Sequence, residues 1–480
     1  MAEQKAGALN ELRAIFKERC VTDDERTLDR FSRDQVGDEK YDARPIAVVS
    51  PVSTDEVVSL MRWANETGVP VTPRGAGSGL AGAAIPSPGG VVCSFASMNR
   101  ILEIDTENLM VELEPGVVTN ALDAALEPHG LFFAGYPMSE DICFIGGNVA
   151  ENAGGGRAIK YGVTAGYVLG AEVVTPTGEV LHLGGKRLKD VTGYNLLQLL
   201  VGSEGTLGLF TKVMLRVIPR PSRRAVALVA FANARAAARC VSALRAASDV
   251  HPSSIEFMDG PTARETNAAM PRASRGEVPD GADALLLVEV DGDESVDAEL
   301  ARARALAEAT GGETVHAGSD EQAMDRAWRL RKQIPWYVKR AAGRYHSLED
   351  VVVPPAGVVR LVDFVARLRE RYGVPVAMFG HAGDGNFHVT PMKPESAPSE
   401  SWPALIDALL RELYGEVISL GGTISGEHGI GRKRVRYLAD FVEPAQLETM
   451  RAIKTALDPK GVLNPGVVLA PAGGGVGRGR

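Results

Sequence analysis

The sequence is poor in cysteine, and the spacing of its few cysteines excludes several kinds of site. The four residues are Cys20, Cys93, Cys143 and Cys240, and no two are close enough for a Cys-x-x-Cys motif. A zinc ribbon, an iron–sulfur cluster and a disulfide framework therefore have no support. We expect thiols packed in the core, Cys143 included, and a reducing cytoplasm as the simplest compartment.

Long apolar runs and an excess of positive charge are also missing. No stretch of about 18 apolar residues occurs, so no segment is predicted to span a membrane. Near the N-terminus Leu9, Leu12, Ile15 and Phe16 follow helical spacing with charges between them, which indicates an amphipathic helix and not a signal peptide. The net charge of -9 argues against a nucleic-acid partner. We expect a cytoplasmic protein, and peripheral contact with a membrane stays open.

Glycine and proline punctuate short apolar runs through the first part of the chain, whose 480 residues suffice for two or three domains. These runs predict strands at 46–49, 91–94, 110–113, 171–175 and 212–217. Helical spacing predicts a helix over 54–66, which Ser53 or Thr54 would cap.

The pattern changes at residue 221. Strands are predicted at 225–231, 254–258 and 285–290, and helices at 234–247 and 294–309. A strand–helix–strand–strand–helix order is typical of a ferredoxin-like unit. Residues 356–440 repeat part of this order of elements, with a helix predicted at 358–371, a strand pair and a helix at 404–420. The sequence therefore predicts an α+β protein in which a nucleotide-binding region surrounds a second α+β region.

Three glycine-rich segments lie in the first part, at 73–79, 145–156 and 202–208. In the first, successive backbone N–H groups could form a nest for an anion, and Arg74 adds a charge suited to phosphate. It is neither a P-loop nor a Rossmann fingerprint, because no Gly-Lys-Ser/Thr and no helix of about ten residues follows. Alone it could be a tight turn without a ligand; three such segments predict a long, flat ligand that carries phosphates.

Residues 40–220, with these three segments in this order, resemble the FAD-binding domain of the vanillyl-alcohol oxidase and p-cresol methylhydroxylase superfamily. The resemblance implies that the FAD pyrophosphate lies on Arg74, Gly75, Ala76, Gly77, Ser78 and Gly79. It implies that the rest of the cofactor is lined by Pro137, Met138, Ser139, Gly146, Gly147, Asn148, Asn152, Gly154 and Gly155, with Gly205 in the third segment. Some relatives attach FAD through a histidine in the first loop; Ser78 stands in that stretch here, so non-covalent FAD is expected.

Two of the eight histidines flank an Asp-Gly dipeptide in the segment 376–389. Asp-Gly predicts a two-residue hairpin turn, which would place His381 directly opposite His388 with Cβ atoms about 5 Å apart. Two imidazoles so placed can share a metal, although two surface histidines at a hairpin mouth would give the same pattern.

A third histidine follows a carboxylate in the glycine-rich segment 421–431, as Glu427 and His428. Two histidines and a carboxylate suit Zn, Mn or Fe and leave positions open for a substrate. The basic residues that follow, Arg432, Lys433, Arg434 and Arg436, could attract an acidic substrate, or form a solvated face or structural ion pairs.

Residues 225–470 resemble the C-terminal domain of D-lactate dehydrogenases, D-2-hydroxyglutarate dehydrogenases and the glycolate oxidase catalytic subunit, on the motifs GHAGDGNFH and SGEHGIG. The resemblance implies that His381, His388 and Glu427 bind the metal and that His428 is the catalytic base. Arg331, in a Trp-x-x-Arg-Lys pattern, would bind the substrate carboxylate or else form a helix-surface salt bridge. Asn464 lies in a segment that returns to the flavin in this family.

Together the resemblances imply a two-part FAD-binding domain of the p-cresol methylhydroxylase type and a ferredoxin-like substrate domain. The expected boundaries are 1–220 for the FAD domain, 221–430 for the substrate and metal domain, 431–470 for a C-terminal segment that returns to the FAD domain, and 471–480 for a disordered tail.

The expected activity is oxidation of a small D-2-hydroxy acid, such as D-lactate, glycolate or D-2-hydroxyglutarate, by hydride transfer to flavin N5 with a divalent metal. A quinone, a cytochrome, an electron-transfer flavoprotein or a partner subunit would accept the electrons. The resemblance also implies a homodimer as one possible assembly. The alternatives are a flavin-binding subunit of a glycolate oxidase-type complex and a metal-free alcohol oxidase on the same fold.

Overall fold

The computed structural model describes residues 2–16, 20–343 and 347–470 and divides the chain into two compact units. The first unit holds the described residues of 1–154, 163–220 and 427–480, and the second those of 155–162 and 221–426. No helix in the described ranges has the length and apolarity needed to cross a membrane. The tail at 471–480 lies outside them.

The described residues form eighteen strands and fifteen α-helices, in the following chain order. The strands are β1 (Val21–Thr22), β2 (Ala47–Val49), β3 (Val71–Arg74), β4 (Val91–Ser94), β5 (Ile101–Asp105), β6 (Met110–Leu113), β7 (Leu131–Phe132), β8 (Val168–Val174), β9 (Val180–Gly184), β10 (Leu209–Arg216), β11 (Ile218–Pro219), β12 (Arg223–Phe231), β13 (Pro252–Asp259), β14 (Ala284–Gly292), β15 (Gly312–Gly318), β16 (Glu349–Val352), β17 (Val376–His381) and β18 (Asn386–Pro391). The helices are α1 (Ala2–Ile15), α2 (Glu25–Arg30), α3 (Thr54–Thr67), α4 (Thr119–Leu126), α5 (Ile145–Glu151), α6 (Ala158–Tyr161), α7 (Leu196–Leu200), α8 (Ala234–Ala246), α9 (Gly260–Ala269), α10 (Val296–Ala309), α11 (Glu321–Ala342), α12 (Val358–Tyr372), α13 (Trp402–Ser419), α14 (Val435–Phe441) and α15 (Pro444–Leu457).

The first unit contains a small, mostly parallel sheet and an antiparallel one. In the order β1-β2-β4-β3, strands β2, β4 and β3 are parallel, and α3 makes the crossover from β2 to β3. Ser53 caps α3 as expected, because its side chain accepts a hydrogen bond from the Glu56 N–H at 3.3 Å. The second sheet has the order β5-β6-β10-β8-β9, with every neighbour antiparallel.

A core shared by α1, α3 and the parallel sheet holds the first unit together. The apolar stripe of α3 packs there on the buried strands β2, β3 and β4, joined by Val462 and Leu463 from the end of the chain. That C-terminal segment lies beside β3, since the Val71 N–H donates to the Val462 carbonyl at 2.8 Å and the Asn464 N–H to the Val71 carbonyl at 2.8 Å. The edge of β3 is thereby covered, and Asn464 is fixed next to it.

The second unit is one seven-stranded antiparallel sheet built from two related parts. Strands β12 to β15 lie in the order β15-β12-β14-β13, which is the ferredoxin-like arrangement predicted, with α9 as an unanticipated insertion. Strands β16 to β18 continue the sheet as β17-β18-β16, with α12 and α13 in the equivalent chain positions. The expected α+β class, with a partial repeat of this theme, is confirmed.

The register of the histidine hairpin differs from the expected one. His381 pairs with Asn386, and His388 pairs with Phe379, so the expected direct pairing of the two histidines is wrong. The turn has four residues, 382–385, where the Asp-Gly dipeptide predicted two.

A tertiary contact accounts for this longer turn. The Val353 N–H donates to the Gly385 carbonyl at 3.0 Å, and a Cβ on Gly385 would lie 2.1 Å from the Val353 carbonyl oxygen. Gly385 has φ of +84°, which glycine adopts without strain. Gly383 is held as well, because its N–H donates to the Ile255 carbonyl at 3.1 Å. Both contacts come from residues far away in the sequence, so the dipeptide could not reveal them.

Candidate active site

The first glycine-rich loop leaves the end of β3 and presents backbone amides. From Gly75 to Gly79 no N–H donates a hydrogen bond to another residue in the part of the chain that the structure describes. Arg74 itself is buried: its Nη1 donates to the carbonyls of Arg33 at 2.8 Å and Ala84 at 3.2 Å. A Cβ on Gly77 would lie 2.2 Å from the Arg74 guanidinium, so this side chain supports the loop from within.

The second segment forms α5 and the turn after it. Asn148 is buried, and its Nδ2 donates to Thr119 Oγ1 at 2.9 Å, which in turn lies 3.1 Å from Cys143 Sγ. Nothing lies within 4 Å of where a Cβ on Gly147 would be, whereas one on Gly146 would lie 2.4 Å from Pro115. Asn148 thus anchors the segment, Gly146 allows close packing, and Gly147 borders open space. Cys143 is a buried thiol, as expected.

Other expected cofactor residues take varied positions. Asn152, with φ of +49°, ends α5, and its Oδ1 accepts the Ala165 N–H at 2.8 Å. Pro137, Met138 and Ser139 are half-buried and precede α5, and Gly154 packs against Val163. Gly155 begins the short segment that belongs to the second unit.

The third segment packs directly on β3. A Cβ on Gly205 would lie 2.5 Å from Pro73, so only glycine allows this approach. Asn464 Nδ2 donates to the carbonyls of Glu204 and Ala83, both at 3.0 Å, and Asn464 Oδ1 is buried without a hydrogen-bond partner in the described ranges. The amides of 75–79, the open space at Gly147 and this acceptor fit a long ligand with a diphosphate and a polar ring.

In the second unit, the two expected metal histidines share one face of the sheet. Side chains alternate along a strand, so Asn386 and His388 point the same way, and His381 is a diagonal neighbour of His388. The two imidazole centroids are 5.5 Å apart with ring planes at 83°. The histidines therefore lie close together in spite of the changed register.

Glu256, a residue that the motifs did not single out, connects His381 to Arg331. Its Oε1 lies 2.7 Å from His381 Nδ1, and its Oε2 accepts the Arg331 Nε–H at 2.7 Å. Both groups are buried, so Arg331 is not part of a helix-surface salt bridge. Burial acts to raise the pKa of Glu256, but His381 and Arg331 outweigh burial and lower that pKa to about 2. The available signal in the sequence was an acid between the apolar residues Ile255 and Phe257 of a predicted strand.

Asp350 is a second buried carboxylate that the motifs did not reveal. It is the cross-strand partner of His388, and its oxygens accept hydrogen bonds from Asn386 Nδ2 at 2.7 Å, Ser425 Oγ at 2.9 Å and the Gly426 N–H at 2.9 Å. Asp350 therefore fixes both the histidine hairpin and the start of the SGEHGIG segment.

The remaining residues of that segment belong to the first unit. Glu427 and His428 are both largely buried, and His428 Nε2 lies 3.5 Å from Glu427 Oε1. Just beyond them, Glu204 accepts the N–H groups of Ile430 and Gly431, each at 2.7 Å. Burial raises the pKa of Glu204 to about 7 even though these bonds act to lower it.

Two of the four basic residues that follow bond to the backbone of the first unit. Arg432 donates to the Pro465 carbonyl at 3.0 Å and to Ser87 Oγ at 2.9 Å, and the fully buried Arg434 donates to the Gly429 carbonyl at 2.9 Å. Lys433 is also buried, whereas Arg436 is exposed. Of the alternatives for this cluster, a solvated basic face is therefore wrong for all but Arg436.

Comparison with known proteins agrees with this architecture. Residues 45–184 match a family described as FAD binding domain, and residues 220–468 match FAD linked oxidases, C-terminal domain. The glycolate oxidase subunit GlcD of Bacillus subtilis (strain 168) is 37% identical over 432 residues, which cover 90% of each chain. The D-lactate dehydrogenase of Archaeoglobus fulgidus is 36% identical over 427 residues, which cover 89% of this chain and 92% of that one.

A solved structure, p-cresol methylhydroxylase with substrate bound, gives a TM-score of 0.79 at 19% identity and covers 98% of both chains. At that identity the likeness shows the fold, which is the expected p-cresol methylhydroxylase type. The chain belongs to the FAD-linked oxidase family, and it is an enzyme of the oxidoreductase class whose fold includes an FAD-binding domain.

Proposed function

We propose that this enzyme oxidises a small D-2-hydroxy acid of the glycolate, D-lactate or D-2-hydroxyglutarate type to the 2-oxo acid, with non-covalent FAD and a divalent metal. The observation that carries the proposal is the pairing of His381 and Arg331 on the two oxygens of Glu256. The Arg331 guanidinium is suited to bind the carboxylate of a substrate. A metal held by His381 is suited to bind a hydroxyl next to that carboxylate. A 2-hydroxy acid has these two groups on neighbouring carbons.

The proposed metal ligands are His381, His388 and Glu427. A metal-binding histidine commonly donates the N–H of its other ring nitrogen to a carboxylate. Glu256 would be that carboxylate for His381 Nδ1, so His381 Nε2 would face the metal. Asp350 stands beside His388 on the neighbouring strand. Glu427 follows directly after Gly426, whose N–H donates to Asp350. The donors suit Zn, Mn or Fe, and a metal so bound would lower the pKa of the substrate hydroxyl.

The roles of the protein's own residues follow from their chemistry. Arg331 would orient the substrate through its carboxylate, while Glu256 keeps the guanidinium in place. His428 would accept the hydroxyl proton at a ring nitrogen, a task that suits imidazole near neutral pH. FAD, when it is bound, would be the acceptor of the two electrons.

We further propose that the loop 75–79 holds the FAD diphosphate through its backbone amides, with Arg74 as internal support. Gly147, Asn152, Gly205 and Asn464 would lie along the rest of the cofactor. Electrons would then pass to a quinone, a cytochrome, an electron-transfer flavoprotein or a partner subunit. A cytoplasmic location, with or without contact with a membrane surface, completes the proposal.

An anaerobic spectral titration tests this function. Purified protein loaded with FAD is mixed with a panel of D- and L-2-hydroxy acids while the flavin band is recorded. Bleaching by a D-acid, lost after chelation and restored by a divalent metal, is the expected result and identifies the substrate. Bleaching that survives chelation would favour a metal-free alcohol oxidase, and no bleaching by any acid would reject the assigned chemistry. Turnover of the isolated chain with an artificial electron acceptor would argue against the alternative that the chain is only a flavin-binding subunit of a larger complex.

A further inference from the structure

Glu204 is a buried residue with an unusual backbone conformation in the third glycine-rich segment. Its φ is +52°, a left-handed value that is uncommon for a residue with a side chain. The Glu204 N–H donates to the Ala150 carbonyl at 2.7 Å, and its own carbonyl accepts Asn464 Nδ2 at 3.0 Å. The main chain of Glu204 is thus fixed on both sides, so its carboxylate has a defined direction.

The carboxylate of Glu204 binds backbone of the segment that carries Glu427 and His428. Its Oε1 accepts the Ile430 N–H and its Oε2 accepts the Gly431 N–H, both at 2.7 Å. The bond from Gly431 is buried and the bond from Ile430 is partly buried, and a hydrogen bond inside a protein is stronger than the same bond in water. Two such bonds on adjacent amides define both the position and the orientation of the peptide between them.

Gly429, the residue before these two amides, is closely surrounded by other groups. Gly429 has φ of +82°, and a Cβ there would lie 2.6 Å from Glu151 Oε2 and 2.9 Å from Glu204 Oε1. On the other side, Arg434 donates to the Gly429 carbonyl at 2.9 Å. The main chain immediately after His428 is therefore enclosed by two carboxylates and a guanidinium, all within the first unit.

We propose that Glu204 is a positioning residue for catalysis, which fixes the backbone of 429–431 and thereby the direction in which Glu427 and His428 project. The proposal rests on the proposed function, in which those two side chains meet the metal and the substrate proton. In this role Glu204 itself contacts neither the metal nor the substrate. A shift of about 1 Å in such groups is enough to reduce turnover greatly.

The substitution Glu204→Gln isolates this role, because it keeps the size of the side chain. The amide offers one oxygen to two N–H groups and turns its NH2 group toward the second. Glu114→Gln is the matched control: Glu114 is also buried in the first unit and also accepts a backbone N–H, from Arg100 at 2.8 Å, but it is not bonded to 429–431. Glu114 also bonds the exposed Arg100 guanidinium at 2.7 Å, so the control variant weakens that ion pair in addition to the bond from the Arg100 backbone N–H.

The experiment measures two properties of the FAD-loaded protein. Hydrogen exchange by mass spectrometry follows a peptide that covers 425–434, and anaerobic stopped-flow follows flavin reduction by the hydroxy acid that reduces the wild type. In Glu204→Gln we expect at least tenfold faster exchange in that peptide and at least tenfold slower flavin reduction at saturating substrate. The flavin band and the half-saturating substrate concentration should change less than threefold. Glu114→Gln should match the wild type in both properties.

Each other outcome counts against the proposal in a distinct way. Unchanged exchange in Glu204→Gln means that Glu204 does not hold the segment. Faster exchange with wild-type flavin reduction means that the segment need not be held for catalysis. Equal losses in both variants would indicate a general loss of stability. Absence of flavin reduction in the wild type would reject the proposed function and with it the catalytic role, while the exchange comparison would still decide whether Glu204 anchors the segment.

Discussion

Buried carboxylates hold the candidate site at the scale of single residues. Glu256, Asp350 and Glu204 are each buried, and each accepts two or more hydrogen bonds from groups distant in the sequence. A buried carboxylate destabilises the fold unless its oxygens are hydrogen-bonded, and these bonds fix the direction of the side chain. The partners are a histidine and an arginine for Glu256, the side chains of Asn386 and Ser425 for Asp350, and backbone amides of the SGEHGIG segment for Asp350 and Glu204.

His428 gives the most direct test at this scale. Replacement of His428 by Ala should leave FAD bound and lower flavin reduction by roughly 100-fold or more, because a general base contributes about that much. His129→Ala, a change at an exposed position of the first unit, is the control and should have no effect. Stopped-flow measurement across pH 6–9 checks both variants. Near-normal reduction in His428→Ala would remove this residue from the role of base.

Asp34 links stability to pH near the first glycine-rich loop. It is buried, its Oδ1 accepts the Val36 N–H at 2.8 Å, and burial raises its pKa to about 6 from an ordinary 3.8. Because the folded-state pKa is the higher one, the stability that protonated Asp34 contributes is complete below 3.8 and is lost as pH rises through about 6. This loss is at most about 3 kcal/mol for a shift of roughly two units.

Asp34→Asn cannot lose a proton, so its stability relative to the wild type should increase as the pH rises from about 4 to about 7. Thermal unfolding at several pH values should show a melting-temperature difference that grows by several degrees over that range. Asp297→Asn, at an exposed position of the second unit, serves as the comparison. A difference that does not depend on pH would show that Asp34 is charged throughout.

At the scale of elements, the β17–β18 hairpin depends on a contact outside itself. The four-residue turn places Gly385 against the Val353 backbone, and this contact sets the register that makes His381 and His388 diagonal neighbours. Any change that moves the turn would shift the histidine face, since a slip of one residue turns every side chain to the other side of the sheet.

Gly385→Ala should therefore destabilise the protein more than an alanine at a glycine with free space. Gly373 ends α12 with φ of +59° and has nothing within 4 Å of its Cβ position, so alanine there costs only about 1–2 kcal/mol of backbone strain. At Gly385 a similar strain is joined by the clash with Val353, which adds roughly 1–3 kcal/mol. Urea unfolding of both variants measures the difference. Equal losses would mean that the turn relaxes away from Val353.

At the scale of the whole molecule, the two units carry different sets of the predicted site residues. Apart from Gly155, the residues expected to bind FAD lie in the first unit, while His381, His388 and Arg331 lie in the second. The sequence order does not follow this division, because residues 155–162 leave the first unit and residues 427 onward return to it. Cofactor binding should consequently stabilise one unit directly.

Addition of FAD to the cofactor-free protein should raise its unfolding temperature. Ligand present at about 100 times its dissociation constant stabilises the state that binds it by about 2.7 kcal/mol. Calorimetric scans with and without FAD check this, and riboflavin is the matched control because it lacks the diphosphate that the 75–79 amides would bind. An equal shift with riboflavin would show that this loop does not hold the diphosphate.

Much of the fold was predictable because local patterns and tertiary structure agree there. Alternating and helical spacing located β4, β6, α3 and α8 to within about a residue. The ferredoxin-like order could be recognised from the sequence of elements alone. Helix α9 was missed, since its ten residues carry only a weak apolar stripe and begin at a Gly-Pro pair that indicates a turn.

The sequence by itself determined the glycine-rich segments, the two histidine motifs and the family to which they belong, because each is a short run of residues whose chemistry can be read locally. Only the tertiary structure decided which side chains meet. The bond from Arg331 to Glu256 joins residues 75 positions apart, and the bonds from Ile430 and Gly431 to Glu204 span 226 and 227 positions. Such contacts follow from the order of strands in a sheet and from the packing of loops on it, which no local pattern encodes.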